Sequence, residues 1–204
     1  MKKIRFVFVF FWVYNTAFSQ WRKVEKLEKN QTLAIKLAYH GGLNKYAGAI
    51  VGAELMVHRK VVTIGSFKRT QERYTTLNFS YFDEPNLNEN IGLHAEWLKR
   101  TRYGNNGFFT ELAAGLGVGL GINNASPPTY VKNADGSESV KKPDTGFVFA
   151  TITAGLGYDF SIKNKSPIKI FARAGVYPIR YHYFLYNQYP KGEVGVVVAL
   201  GRRK

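Results

Sequence analysis

Residues 108–122 constrain the chain more than any other stretch. Phe108, Thr110, Leu112, Ala114, Leu116, Val118, Leu120 and Ile122 alternate with Phe109, Glu111, Ala113, Gly115, Gly117, Gly119 and Gly121. Successive side chains of a strand point to opposite faces, so a period of two sustained this long predicts a strand with one apolar face and one nearly bare face. Residues 147–162 repeat the theme, with Val148, Ala150, Ile152, Ala154, Leu156, Tyr158 and Phe160 against Thr151, Thr153, Gly155, Gly157 and Asp159. Six more segments pass the same test, at about 32–40, 47–58, 74–82, 91–99, 168–177 and 193–201. Eight strands in all is an even number, and an even number closes an antiparallel barrel.

Which face points inward decides the solvent. A soluble eight-stranded barrel turns Leu, Ile and Val inward around a ligand and shows water a polar face. A membrane barrel does the reverse. The second face of 108–122 and 147–162 is mostly Gly and Thr. That is a poor surface for water but suits a narrow lumen, where missing side chains leave room for long ones from neighbouring strands. Segments of roughly 9–11 residues are also what a tilted strand needs to cross a bilayer. The pattern predicts an all-β fold, an eight-stranded antiparallel up-and-down transmembrane β-barrel. With 45% hydrophobic residues, 15% aromatics and a mean hydropathy of −0.22, the chain is neither disordered nor a bundle of membrane helices.

The first 19 residues read as an export label. Lys2, Lys3 and Arg5 precede an apolar run of nine, Phe6 to Tyr14, and Ala17-Phe18-Ser19 supplies small residues at the −3 and −1 positions of a cut before Gln20. A transmembrane anchor would need about 20 apolar residues. The expected organisation is a signal peptide over 1–19, a short basic periplasmic N-terminal segment over 20–30 and the barrel over 31–204. Within 21–30 the charges have helical spacing, but there is no convincing apolar face. Removing the signal leaves 26 cations against 14 acids, a formal charge of +12. An exported chain rarely meets nucleic acid, so none is expected as a partner. The absence of cysteine excludes disulfides, thiolate metal sites and a lipidated N-terminal Cys.

With the apolar face outward, the lumen receives Lys36, Glu54, His58, Asn78, Ser80, His94, Glu96, Glu111, Asp159, Lys169, Arg173, Tyr177 and Glu193. Lys36, Glu54, His94, Glu96, Glu111, Asp159, Lys169, Arg173 and Glu193 are the expected polar network, because eight strands leave just enough interior for side chains to fill and pair. The connections then alternate, with outer loops at 41–46, 83–90, 123–146 and 178–192 and inner turns at 59–73, 100–107 and 163–167. The inner side carries 17 Lys and Arg, including Arg59, Arg73, Lys99, Arg100 and Arg102, against Glu25, Glu28 and Glu72. Such a rim attracts anionic headgroups. The last outer loop holds Tyr181, Tyr183, Phe184, Tyr186 and Tyr189. These suit an interfacial aromatic belt or a contact surface for an extracellular ligand.

Several of these stretches together resemble a known group. The order Lys99-Arg100-Thr101-Arg102, Gly107-Phe108-Phe109-Thr110-Glu111, the Gly-repeating strand through Gly115 and Gly117, a long loop with Asp135-Gly136, and Ala154-Gly155-Leu156-Gly157-Tyr158-Asp159-Phe160 is similar to uncharacterised outer-membrane β-barrel proteins of Gram-negative bacteria. The resemblance spans about residues 30–200. It implies a location in the cell outer membrane and a barrel fold, with no assigned substrate. One departure concerns the last strand, which in the wider outer-membrane class tends to end in an aromatic residue. Here Leu200 is followed by Gly201, Arg202, Arg203 and Lys204.

Some small outer-membrane barrels hydrolyse lipids with Ser and His on neighbouring strands. A loop 83–90 centred on Leu87 would place Ser80 opposite His94 and Asn78 opposite Glu96, an arrangement of nucleophile, base and orienting acid. Polar lumens produce such pairs by chance, and a lipid ester does not easily reach the lumen, so no enzyme activity is expected. The four His have no metal-ligand spacing, and Gly115 to Gly121 alternate on a strand instead of opening a helix, so neither metal nor cofactor is expected. The expected role is structural or surface-interacting, as a monomer among outer-membrane lipids, with any extracellular ligand reached through loops 123–146 and 178–192. A small-solute pore is the alternative.

Overall fold

The computed structural model describes residues 22–26, 32–42, 47–64, 67–84, 88–124, 129–132, 136–141, 146–181 and 186–200. The signal segment and its cut before Gln20 lie outside these residues. Among the described residues eleven strands run in chain order: β1 (Arg22–Lys26), β2 (Leu33–Gly41), β3 (Ala47–Ile64), β4 (Phe67–Glu84), β5 (Asn88–Tyr103), β6 (Phe108–Asn124), β7 (Thr129–Lys132), β8 (Glu138–Lys141), β9 (Gly146–Asp159), β10 (Ile168–Tyr181) and β11 (Tyr186–Ala199). Eight of them, β2 to β6 and β9 to β11, pair antiparallel with their neighbours. Pairing of β11 with β2, from Gly192↔Gly41 to Ala199↔Ala34, closes the ring. The fold is therefore an eight-stranded antiparallel barrel, as the alternation predicts.

The stagger of the ring can be counted from its register. Cross-strand partners lead from Arg59 through Glu72, Arg100, Glu111, Gly155, Arg173, Glu193 and His40 back to β3 at Gly48. That is eleven residues along β3, or ten once the bulge residue between Met56 and His58 is set aside. Ten residues of stagger over eight strands tilt the strands by about 40°, given a rise of ~3.3 Å per residue and a strand spacing of ~4.8 Å.

Burial runs inside out. Along β2 exposed and buried positions alternate strictly, and the exposed ones are Leu33, Ile35, Leu37 and Tyr39 while Lys36 and His40 are buried. The same holds on β6, where Leu112, Leu116, Val118 and Leu120 are exposed and Phe109, Glu111 and Ala113 are buried. From Phe108 to Leu120 this apolar band spans about 30 Å along the barrel axis at that tilt. Near the end where both described termini lie, Phe108, Tyr158 and Phe160 form an aromatic row with ring centroids 5.0 and 4.9 Å apart.

Interior glycines make room for large neighbours. A Cβ on Gly157 would strike the Phe109 ring and the Ile170 carbonyl, and one on Gly155 would strike the Ala172 carbonyl and the Arg173 side chain. Backbone cannot yield as a flexible side-chain tip can. Gly157→Val is therefore expected to destabilise the barrel by about 1–3 kcal/mol through overpacking, read as a lower midpoint in urea unfolding.

Several boundaries differ from the alternation reading. The stretch 59–73 is no turn: β3 and β4 run on as a paired hairpin to Ile64↔Phe67, well past Leu33↔Leu55 where β2 begins to pair. Val61 and Val62 are buried on this extension, and β1 pairs along its edge from Arg22↔Ile64 to Lys26↔Lys60. Residues 22–26 are thus extended, with no helix. The inner turn 100–107 shrinks to 104–107, where Gly104 and Gly107 take positive φ values of 63° and 90° that side chains disfavour. At the opposite end, the stretch 123–146 carries the small hairpin β7–β8, paired from Thr129↔Lys141 to Lys132↔Glu138. The stretch 178–192 is mostly strand, with β10 and β11 paired up to Arg180↔Tyr186.

Candidate functional site

The lumen is the chemically distinctive part of the molecule. Among the described residues it buries six carboxylates (Glu54, Glu72, Glu96, Glu111, Asp159, Glu193) and six cations (Lys36, Arg100, Arg102, Lys169, Arg173, Lys191). Isolated charges at such depth would be prohibitive, and pairing is what makes them tolerable. The two fully buried sets are equal in number.

Arg173 is the hub. Its guanidinium lies 2.7 Å from Glu111, 3.5 Å from Glu96, 3.6 Å from Glu193 and 3.8 Å from Glu54. Arg100 joins Glu111 through Nε and Glu54 at 3.2 Å, and its guanidinium stacks on the Tyr74 and Phe109 rings at 4.7 and 4.8 Å. Lys36 bridges Glu193 at 3.4 Å and Glu96 at 3.7 Å, while Lys191 Nζ lies 2.6 Å from Glu193. Thr151 donates a hydroxyl hydrogen bond to Glu96 at 3.2 Å, and the His94 Nε2 lies 3.5 Å from the same carboxylate oxygen. Nearer the strand ends, Arg102 bridges Glu72 at 3.1 Å and Asp159 at 3.2 Å, and Tyr74 donates its hydroxyl to Glu72 at 2.8 Å. Lys169 Nζ sits 3.3 Å from the Tyr74 hydroxyl.

Register explains why these groups meet. The interior path Arg59, Glu72, Arg100, Glu111 and then Arg173, Glu193 alternates in sign across neighbouring strands. Opposite charges facing one another across a ladder attract. Between the two runs stands Gly155, whose bare Cα lets the Arg173 side chain reach Glu111 across it.

Two other features flank the network. Towards the loop end, Phe82, Phe147, Phe149, Tyr177 and Ile179 form a buried cluster, with Phe149 and Tyr177 ring centroids 4.6 Å apart and Phe82 and Tyr177 5.9 Å apart. The charged layer thus lies below an aromatic layer. Towards the end with the described termini, a cavity of about 630 Å³ is lined by Thr32, Met56, Tyr74, Ser161, Pro167 and Leu200, with Lys169 also on its wall.

All nine residues of the expected polar network (Lys36, Glu54, His94, Glu96, Glu111, Asp159, Lys169, Arg173 and Glu193) are buried in the lumen. Asn78, Ser80 and Tyr177 are buried there too. His58 is exposed, because the bulge after Met56 reverses the facing of the residues beyond it. Arg100, Arg102 and Glu72, expected on the inner rim, are buried, as is Lys191, expected in an outer loop. Their signal was parity: Arg100 and Arg102 share it with His94 and Glu96, Glu72 with Asn78, and Lys191 with Glu193. The side chains of Tyr181, Tyr183, Phe184, Tyr186 and Tyr189 lie outside the described residues, although Tyr181, Tyr186 and Tyr189 belong to paired strands.

The expected Ser80 and His94 pairing is also corrected. The β4–β5 connection is centred on residue 86, which places Asn78 opposite His94, Thr76 opposite Glu96 and Ser80 opposite Gly92. Ser80 donates its hydroxyl to the Gly92 carbonyl at 3.3 Å. No group of three or more metal-ligating side chains occurs among the described residues.

No family model and no curated protein matches the chain. Among solved structures, the N-terminal β-barrel domain of Pseudomonas aeruginosa OprF aligns at 13% identity and a TM-score of 0.46, over 83% of this chain and 97% of that one. The β domain of the Bordetella autotransporter BrkA aligns at 13% identity and a TM-score of 0.39, over 81% of this chain and 67% of that one. Neisserial surface protein A aligns at 11% identity and a TM-score of 0.31, over 82% and 94%.

Proposed function

We propose that this chain is an exported outer-membrane β-barrel with a structural or surface-interacting role. One observation carries the reading: Leu, Ile, Val and aromatic side chains cover the outside of the ring while paired charges fill its inside. In water the outer band would be a large exposed apolar surface of the kind soluble monomers avoid; in a bilayer it is the lipid-facing belt. The export label at residues 1–19 supports a location beyond the inner membrane. The barrel acts as a monomer without cofactor or catalytic role, outer-membrane lipids are its partners, and any extracellular ligand is met at the loop end, where β7–β8 stands.

The lumen is closed in this reading. The Arg173-centred ion pairs and the aromatic cluster above them occupy it in two successive layers. The test is membrane fractionation with heat-modifiable gel mobility, followed by planar-bilayer recording. A band in the outer-membrane fraction that shifts on boiling and gives no discrete conductance steps is expected. A soluble periplasmic protein would end the membrane reading, and reproducible single-channel steps would replace the closed barrel with the small-solute pore.

A further inference from the structure

A row of basic side chains crosses three strands on the outside of the barrel. His58 on β3 pairs with Arg73 on β4, and Arg73 pairs with Lys99 on β5. Each points away from the lumen: His58 and Arg73 are exposed, and Lys99 stands between the buried Leu98 and Arg100. Among the described residues no carboxylate pairs with any of the three. Like charges directly opposite on a ladder destabilise a sheet. Arg73 and Lys99 face each other as like charges, whereas the interior path described above alternates in sign.

The surroundings say what would offset the repulsion. The Arg73 guanidinium lies 5.9 Å from the centre of the Trp97 ring, which is itself 46% exposed. Lys99 is followed across the ladder by the exposed Leu112 on β6, and Tyr103 is exposed four residues further along β5. His58 lies just beyond Leu55, where β2 begins to pair. The row therefore sits at the border of the apolar band, on the side of the described termini, between an aliphatic neighbour and aromatic rings. Lys and Arg at such a border extend along the apolar surface and place their heads at headgroup depth.

We propose that His58, Arg73 and Lys99 form a binding site for the headgroup of an anionic phospholipid in the inner leaflet, with Trp97 and Leu112 against its acyl chains. The proposal rests on the membrane reading above and adds a defined site to it. A phosphate anion seated between Arg73 and Lys99 converts a repulsive cross-strand pair into a bridged one. Each cation near an anionic membrane surface contributes roughly 1 kcal/mol to the attraction.

The full mature protein, folded in vesicles of phosphatidylcholine with and without phosphatidylglycerol, supplies the test. After gentle extraction, native mass spectrometry counts the lipid that stays bound. Wild type is expected to retain phosphatidylglycerol over phosphatidylcholine, and R73Q/K99Q to lower that preference by about 30-fold. The control K163Q/K165Q, which removes two exposed lysines of the β9–β10 turn, should leave the preference intact, as should the charge-keeping R73K/K99R. Excess inorganic phosphate should not displace the lipid. Displacement by phosphate alone, no lipid preference in wild type, or equal losses in R73Q/K99Q and the control pair would overturn the site. Heat-modifiable mobility is read on every sample. A wild type that never inserts removes the membrane reading and the site together, whereas insertion without lipid preference removes only the site. Should R73Q/K99Q fail to shift on boiling, single K99Q carries the measurement, with about a fivefold loss expected.

Discussion

Arg173→Met should lower the unfolding free energy of the barrel by about 3–5 kcal/mol, the range for removing one partner from a buried ion pair. Arg173 approaches Glu54, Glu96, Glu111 and Glu193. Met fills a similar volume, so the loss isolates charge from packing. Six buried carboxylates would then face five buried cations. Urea unfolding in lipid vesicles, followed by tryptophan fluorescence, measures the change. Adding Glu111→Gln to Arg173→Met should recover part of the loss, because the two side chains share a hydrogen bond and mutations in contact are not additive. A loss below about 1 kcal/mol would place the variant among ordinary substitutions and remove Arg173 as the hub.

The second large effect concerns the outside. Val194 on β11 is 63% exposed and lies between Tyr39 of β2 and Ala172 of β10, near the middle of the apolar band. Val194→Arg should cost about 2–4 kcal/mol if that face meets the bilayer midplane. If the same face met water, an exposed Val→Arg change would fall within about 0.5 kcal/mol of neutral. The two solvents thus predict results that do not overlap. Measuring Val194→Arg and Lys163→Glu side by side in the same vesicles controls for effects of charge alone, since Lys163 is exposed in a turn beyond the band.

The fold was readable because alternation is a local property, and a residue's facing follows from its neighbours two positions away. Leu116, Gly117 and Val118 show their orientation without any knowledge of the rest of the barrel. What the alternation could not supply was where a strand stops. Arg100 and Arg102 stand just before a Gly-Asn-Asn-Gly turn and look like loop cations, yet their parity continues that of Glu96 and they are buried. Composition outweighed parity there, and the physical reason is that a lumen rich in carboxylates stabilises the very residues that usually mark solvent. His58 failed in the opposite way. One extra residue at the bulge inverts everything beyond it, and nothing in Met56-Val57-His58 announces the insertion. The stretch 178–192, expected as an outer loop, is mostly paired strand of β10 and β11. The Ser80 register missed by a single residue in the centre of the connection, and one residue there shifts the opposing partner by two.

The seam between β2 and β11 bears on how the molecule is made. Lys36 and Glu193 are 157 residues apart in the chain, and their contact forms only when the first and last strands of the ring meet. Loop-closure entropy makes contacts of such sequence separation late events. Until then Lys36 and Glu193 lack each other, and both β2 and β11 present unpaired edges. The last join therefore zips backbone and neutralises charge in one event, and a nascent chain stopped short of β11 gains neither. Assembly should accordingly be all-or-none, because a chain that has not joined β2 to β11 keeps both edges unpaired and Lys36 apart from Glu193.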